Sequence, residues 1–581
     1  MQTQDLFEVD KAADTEHSLV QFSREQPMDR AMRLIREVFD DRHIAVLAYS
    51  GGKDSSTAAC LLLTVAADYR RRGLSLPPIY VTHSSTGVEN PVVADLAMAE
   101  LTKMKAFAAK HDFTLIVLTG EPDLNSSWAG RVLTGRALPT YPSSPTMDCS
   151  QSWKVDVGQR LLKEAMIKAD GHKGWNRPVV MTGVRSGESA ARDVRIAARR
   201  EHGDGIWSNS DGDLRLTPIF SFSTDDVWET LGYAAAGLLE SYSDFSEVIE
   251  FYRDAGGGCV VLSADAVRGS STPCSTRSGC WSCTRAGKTD RSAEQLVESN
   301  PTKYGQLKPL NRLRTYLVNI QYDWSRRNHL GRTIAKDGHI EVVADSFSPE
   351  TLRKLLIYTL TAERLSGVPI ISAAQLILID AKWSASAFFP PFTAIKTYFD
   401  VVDRGMYEQA PEVAYMPPSP VPRVGRIFVG EDWYQVTGIN SMAGMRDPLM
   451  ELHHESCDIK LKALKNGALV CDYEEGRKLA VDEDGAMDFL AFLAEDYIRD
   501  YCRNDNPDWT EGYRIYQRLG ILTNGLGHSR MMDEILRRSQ WLQSKDLHGQ
   551  RSVDELKSRC TVLYESQAAL FDWFLVVSCG I

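Results

Sequence analysis

Six residues, Ser50-Gly51-Gly52-Lys53-Asp54-Ser55, constrain this chain more than any other stretch. They follow an apolar run, residues 44–49, that reads as a buried strand. They lead into residues 55–69, whose Ala and Leu content suits a helix. Between a strand and a helix the loop makes physical sense. Gly51 and Gly52 let backbone amides approach an anion without interference from a Cβ. The amides at the helix start, with the helix dipole behind them, favour pyrophosphate. Ser50, Ser55 and Ser56 add hydroxyl donors and Lys53 adds a charge. Asp54 repels phosphate, so its expected work is to cap the helix and to hold Mg²⁺ against phosphate oxygens. The competing reading is a plain glycine turn, and the order of strand, turn and helix speaks against it. Ala286-Gly287-Lys288-Thr289 has the tail of a kinase-type phosphate loop, but Ser282 stands where its first glycine belongs and no strand precedes it.

Further strands are expected at residues 78–82, 113–118 and 178–182. Helices are expected at 91–111 and 151–169, and at 227–239 behind a cap at Ser223. This alternation implies an α/β fold, a mainly parallel sheet with helices on both faces. At 581 residues the chain exceeds one compact core. The expected division is 1–245 for the nucleotide-binding domain and 246–290 for a cysteine segment. A helical region, 291–410, and a mixed, then mostly helical region, 411–581, complete it. Residues 426–429 and 433–436 read as strands. No apolar stretch is long enough to cross a bilayer, and the acidic, polar first residues do not resemble a signal peptide. The expectation is a cytoplasmic protein without a membrane partner. A net charge of −11 argues against a surface coated in basic residues for non-specific nucleic-acid binding, but leaves room for a local basic groove.

Eleven cysteines in a chain without a secretion signal favour metal or thiol chemistry over disulfides. Cys259, Cys274, Cys280 and Cys283 fall within 25 residues, a set that fits one tetrahedral or cubane metal site. A [4Fe–4S] cluster, zinc and unligated thiols are the three readings; only Cys280 and Cys283 form the close pair that a zinc ribbon would show twice. Cys149 lies outside this set. It is a candidate working thiol, able to carry a persulfide or attack an adenylated intermediate where cations lower its pKa; a buried structural cysteine is the alternative. Arg185, Arg192, Arg195, Arg199 and Arg200 form a cationic stretch suited to phosphate contacts or to a solvated helix face.

The phosphate loop resembles that of the adenine-nucleotide α-hydrolases: ATP pyrophosphatases, adenylylsulfate and phosphoadenylylsulfate reductases, and tRNA-thiolating enzymes. Three further segments agree with that group: His83-Ser84-Ser85-Thr86-Gly87 through Pro91, Asp148-Cys149-Ser150 through Lys154, and Thr182-Gly183-Val184-Arg185-Ser186-Gly187-Glu188-Ser189. The resemblance implies cleavage of ATP between its α and β phosphates. It implies that Arg185 contacts phosphate or sulfate as a planar fork, with Glu188 orienting it. The stretch from Tyr252 to Cys259, with Cys274 through Cys283, resembles the iron–sulfur segment of the bacterial DNA phosphorothioation sulfurtransferases. The motifs cover residues 44–289, and the second motif is His83-Ser84-Ser85-Thr86-Gly87 where that family often carries Ser-Asp-Thr. Membership would imply ATP, Mg²⁺ and a [4Fe–4S] cluster as cofactors. It would also imply a cysteine desulfurase as sulfur donor, other phosphorothioation subunits as partners, and DNA as the substrate.

Overall fold

The structure, a computed structural model, describes residues 25–140, 148–188, 190–199, 201–256, 279–285, 287–422, 425–430, 433, 441–446, 461–463, 469–471, 478–504, 507–525, 527–558 and 560–562. The first half is organised by β1, His43–Tyr49, the run that ends at the glycine loop. Its side chains alternate between two cores, as the period of a strand requires. Ala45, Leu47 and Tyr49 face one cluster, and Ile44 and Val46 face the other. The first cluster is closed by helices α1 (Pro27–Asp40), α2 (Lys53–Arg71) and α3 (Pro91–Lys110). The second is closed by α4 (Asp156–Asp170), through Ala165 and Ala169. Helices therefore cover both faces, as expected.

The remaining strands of the sheet are β2 (Ile79–Ser84), β3 (Leu115–Gly120), β4 (Asn176–Thr182), β5 (Trp207–Ser208) and β6 (Leu214–Leu216). Their order is β3-β2-β1-β4-β6-β5, parallel except for the antiparallel edge strand β5. Leu47 pairs with Val81 on one side and with Met181 on the other. The chain moves outward from β1 to β3 and then returns to place β4 on the opposite side of β1. That reversal is the switch point at which open α/β sheets bind ligands, beyond the carboxyl ends of the strands. The loops after β1, β2 and β4 all open there. Helices α5 (Ala190–Ala198), α6 (Thr224–Ala235) and α7 (Ser246–Asp254) follow β4, with α6 capped by the Ser223 and Asp226 box.

Residues 129–138 leave the sheet and enter the core of the C-terminal half. Trp128, Val132, Leu133 and Leu138 share one cluster with α8 (Leu307–Asn319), α9 (Pro349–Ser366), α10 (Ala373–Ala385), α11 (Glu511–Arg518) and α12 (Ser529–Ser544). The indole of Trp383 donates to the Leu133 carbonyl at 2.7 Å. Residues 290–400 are not purely helical: β7 (Arg327–Ile334) and β8 (His339–Phe347) form an antiparallel pair. With β9 (Arg426–Phe428) and β10 (Cys560–Val562) they make a sheet of order β10-β9-β8-β7. Among the described residues no helix is long and apolar enough to cross a membrane.

Candidate functional site

The turn between β1 and α2 needs its first glycine. Gly51 has φ +77°, and a Cβ there would sit 2.7 Å from that of Ala97 on α3. The Ser50 and Ser55 hydroxyls lie 3.1 Å apart, and Ser55 Oγ donates to the Gly52 carbonyl at 2.9 Å. Ser56 is fully buried beneath them, its Oγ 3.3 Å from the Tyr49 hydroxyl. Asp54 does not cap α2. The N-cap is Gly52, which has no side chain to offer, and Asp54 is the second helical residue. The orphan amide of Lys53 instead donates to the hydroxyl of Tyr252 on α7, at 3.3 Å.

Both oxygens of Asp54 are engaged by cations. Lys53 Nζ is 3.0 Å from one and Arg185 Nε is 2.6 Å from the other. Arg185, 4% exposed, also donates to the Phe222 carbonyl at 3.2 Å. The loop after β4 is thereby pulled onto the start of α2. Gly183 makes this possible, since a Cβ on it would lie 2.8 Å from the Asp54 carbonyl. Asp54, not Glu188, is the carboxylate that orients Arg185 here; Glu188 forms an ion pair with Arg192. A magnesium ion on Asp54 would have to displace Lys53 or Arg185, or reach the carboxylate once phosphate has drawn one of them away.

The loop after β2 folds around Glu89, whose carboxylate accepts the amides of Thr86 and Val88. Asn90 caps α3 through the Val92 amide at 3.0 Å. His83 is buried with Nδ1 3.2 Å from the Tyr49 carbonyl, and burial lowers its pKa, so it enters the site neutral. These three loops line one open cleft of about 1500 Å³, together with Lys154, Gly158, Arg192, Arg199 and Tyr252, and with Gly279 and Cys280. Of the expected cationic stretch, Arg185, Arg192 and Arg199 reach the cleft, Arg195 is exposed on α5, and Arg200 lies outside the described residues.

The cysteine segment is built into the cleft wall. The Trp281 amide donates to the Val88 carbonyl at 3.0 Å, and the Cys283 amide to that of Cys280 at 3.0 Å. The Trp281 ring packs edge-on against Trp128, with centroids 5.1 Å apart. Burial pushes the Cys280 thiol up to about 11; Lys154 works against it, while Cys283, Glu89 and Cys149 add to it. Cys149, half-buried with its sulfur 3.5 Å from Thr140 Oγ1, therefore shares a neighbourhood with Cys280 instead of standing apart from the cysteine set. Cys259 and Cys274 lie outside the described residues, and among the described residues no three His, Cys, Asp or Glu side chains form a metal site. The donor chemistry fits a soft metal: Cys280 and Cys283 occupy one Cys-x-x-Cys turn, and thiolates suit zinc or iron–sulfur. Sequence reasoning missed Tyr252 as a phosphate-loop residue. Its partner is 199 residues away, so no local pattern could have shown it.

No family model and no curated protein matches the sequence. Similar solved structures include the phosphoadenylyl-sulfate reductase of Candida auris, 14% identical over 38% of this chain and 83% of that one, with a TM-score of 0.24. A U34-tRNA thiolase of Methanococcus maripaludis with its [4Fe-4S] cluster is 13% identical over 39% and 69%, with a TM-score of 0.24. An FMN adenylyltransferase of Candida glabrata is 14% identical over 36% and 56%, with a TM-score of 0.21. At scores this low the fold assignment rests on the strand order and the loops themselves.

Proposed function

We propose that the chain is an ATP-dependent sulfurtransferase that activates a DNA backbone phosphate for phosphorothioate formation. The observation that supports this reading is that the phosphate loop and Cys280 line the same cleft. A phosphodiester is a poor electrophile, because oxide is a bad leaving group. Its non-bridging oxygen attacks the α-phosphorus of ATP and pyrophosphate departs, leaving that oxygen bridged to AMP. A sulfur nucleophile then attacks the DNA phosphorus and AMP leaves. The amides of Gly51, Gly52 and Lys53 hold the departing pyrophosphate, Lys53 and Arg185 offset its charge, and Asp54, once phosphate draws those cations away, would hold Mg²⁺ to neutralise further charge. Cys149 is the sulfur carrier, loaded as a persulfide by a cysteine desulfurase, and its outer sulfur forms the P–S bond. A thiol of an external dithiol reductant then attacks Cys149 Sγ, breaking the S–S bond to free the phosphorothioate. The reductant's second thiol restores the Cys149 thiol as the dithiol closes to a disulfide. Cys280 and Cys283, with Cys259 and Cys274, would hold a [4Fe–4S] cluster, which supplies a redox-active, thiolate-bound site beside the cleft. Other phosphorothioation subunits select the DNA site, and the work is done in the cytoplasm.

Radiolabelled ATP tests the first step: the products are AMP and pyrophosphate, and ADP with phosphate refutes it. Mass spectrometry of digested host DNA tests the second: deleting the gene removes phosphorothioate dinucleotides, and the Cys149→Ser protein does not restore them. Loss of a tRNA thiolation with DNA unchanged would move the substrate to RNA.

A further inference from the structure

The cleft runs to both sides of the phosphate loop. On one side β2 is a single strand from β1, about 5 Å at the spacing of a sheet. Thr82, Ser84 and Gly158 line the cleft there, and a Cβ on Gly158 would lie 3.6 Å from Ser84 Oγ, so the glycine leaves a narrow slot. On the other side β6 and β5 are the second and third strands from β1, about 10 and 14 Å away. Their hairpin lines the cleft with Trp207, Ser210, Asp211 and Arg215. At about 1500 Å³ the cleft exceeds the roughly 300–1000 Å³ that encloses one small ligand. An ATP whose phosphates sit on the loop has the nearer place for its base in the slot at β2. The hairpin arm is left for a second ligand.

That arm is built to hold its shape. Trp207 stands opposite Arg215 in the antiparallel pair, so the two side chains share a face. Asn209 fixes the turn between them: its Oδ1 accepts the amides of Asp211 at 3.1 Å and Asp213 at 2.8 Å. Arg177 on β4 donates to the Gly212 carbonyl at 2.7 Å and ties the turn to the sheet. Trp207 is half-buried, with its ring centroid 5.8 Å from that of His202. Three arginines line this arm, and each holds a carboxylate. Arg192 pairs with Glu188, Arg199 with Glu201 at 2.6 Å, and Arg215 with Asp213 at 3.3 Å. Matched charges offer a phosphate little, in contrast to the loop after β1, where helix amides converge and two cations share Asp54. The hairpin arm instead presents an aromatic ring beside exposed hydroxyl and carboxylate groups at the turn, Ser210 and Asp211. That combination suits a neutral, planar group with hydrogen-bonding edges. A nucleobase is such a group, and any base can stack on an aromatic ring.

We propose that the β5–β6 hairpin seats one nucleobase of the DNA substrate, stacked on Trp207 with Ser210, Asp211 and Arg215 at its edge. The seat rests on the DNA reading above and names the part of the substrate that this arm of the cleft holds. A base inside a duplex is stacked on both sides, so the seat takes one that is unpaired or turned out of its helix. The test uses the full chain, a fluorescent single-stranded DNA 12-mer of mixed sequence, and an abasic phosphodiester chain of the same length. A non-hydrolysable ATP analogue is titrated in parallel. The wild type is expected to bind the base-bearing chain about tenfold tighter than the abasic one, the equivalent of one base–aromatic stack. Trp207→Ala should lose that tenfold and Trp207→Phe should keep most of it. Asp211→Ala, on the exposed turn, spares the edge strand and should weaken the base-bearing chain about fivefold, one ordinary hydrogen bond. All three variants should bind the abasic chain and the analogue as the wild type does. Equal binding of the two chains by the wild type, a loss that falls equally on both chains, or no loss in any variant would overturn the proposal. A loss confined to the ATP analogue would also overturn it, by giving the seat to the base of ATP. The AMP and phosphorothioate assays judge the cleft chemistry separately. If they succeed while Trp207→Ala binds as the wild type does, the seat alone falls; if they fail while Trp207→Ala loses its tenfold, the sulfur-transfer reading alone falls.

Discussion

Replacing Asp54 by alanine would leave the Arg185 guanidinium, 4% exposed, with the Phe222 carbonyl as its remaining described hydrogen-bond acceptor. Breaking a buried ion pair by removing one partner costs about 3–5 kcal/mol. Asp54 keeps 19% side-chain exposure, so the low end, about 3 kcal/mol, is the better figure. For a domain of roughly 200 residues each kcal/mol lowers Tm by about 2–4 °C, which gives a fall of about 6–12 °C. Arg185→Ala should cost a similar amount, because it strands Asp54 against Lys53 alone. The double variant removes both buried charges, so the losses should not add; a coupling of about 2 kcal/mol is expected. Thermal unfolding by circular dichroism, without nucleotide, measures all four corners of the cycle. Asp54→Asn then separates structure from chemistry. It keeps an acceptor for Arg185, so its Tm should stay within about half of the alanine loss. Its AMP release should still collapse if the carboxylate holds metal. Single variants that unfold within 1 °C (about 0.3–0.5 kcal/mol) of the wild type, or strictly additive losses, would refute the ion-pair reasoning.

Three further outcomes are expected. Tyr252→Phe removes the hydroxyl that occupies the Lys53 amide, so a non-hydrolysable ATP analogue should bind about fivefold tighter, the equivalent of one ordinary hydrogen bond; weaker binding in calorimetry would mean that the phenol helps to hold phosphate. In metal-free protein, burial holds the Cys280 thiol up to about 11; iodoacetamide labelling followed by peptide mass should therefore be slow at pH 8 and still climbing at pH 10, and complete labelling at pH 8 would contradict the burial. Burial pushes the Asp380 carboxyl up to about 6 from 3.8, so the folded state keeps the proton to higher pH than the unfolded state does. Its contribution to stability is full below pH 4 and is lost as pH rises through 6; the Tm advantage of wild type over Asp380→Asn should be larger at pH 4.5 than at pH 7, and the reverse order would refute the sign.

The sheet domain was legible because its strands are short apolar runs bounded by glycine and proline. β1 through β4 fall within two residues of their expected ends. The β7–β8 pair was also written in the sequence, in the Asp337-Gly338 turn, with Gly338 at φ +78°. Reading residues 290–400 by helical composition alone passes over it. The helix expected at 151–169 starts instead with a π-helical turn, Gln151–Val155. What the sequence could not show is pairing at a distance. Asp54 with Arg185 spans 131 residues, and Trp383 with Leu133 spans 250. Residues 129–138 carry no expected element, and only the core that receives them gives Val132 and Leu133 a reason to be apolar. Asp54 illustrates the same limit. Its place in the loop suggested a cap, but the helix already had Gly52 at that position, and the carboxylate was left to settle two cations.

Placing thiols beside a polyphosphate site raises an electrostatic difficulty that the structure answers in part. A sulfur nucleophile acts as thiolate, yet with ATP bound as proposed a thiolate lining the cleft would face several phosphate charges as well as Glu89. Burial deals with this by keeping Cys280 protonated, which also makes it inert. Two positive charges can reverse that. Lys154 already favours the charged form of Cys280, and a metal ion deprotonates a coordinating thiol outright while its own charge offsets the result. Ligation would thus turn Cys280 and Cys283 from neutral packing into a charged site that the cleft can tolerate. The Val88–Trp281 hydrogen bond would then carry any movement of that site to the loop that Glu89 organises at the cleft. On this reasoning, loss of metal should change ATP affinity. Equal affinity in metal-loaded and metal-free protein would show the two sites to be neighbours without communication.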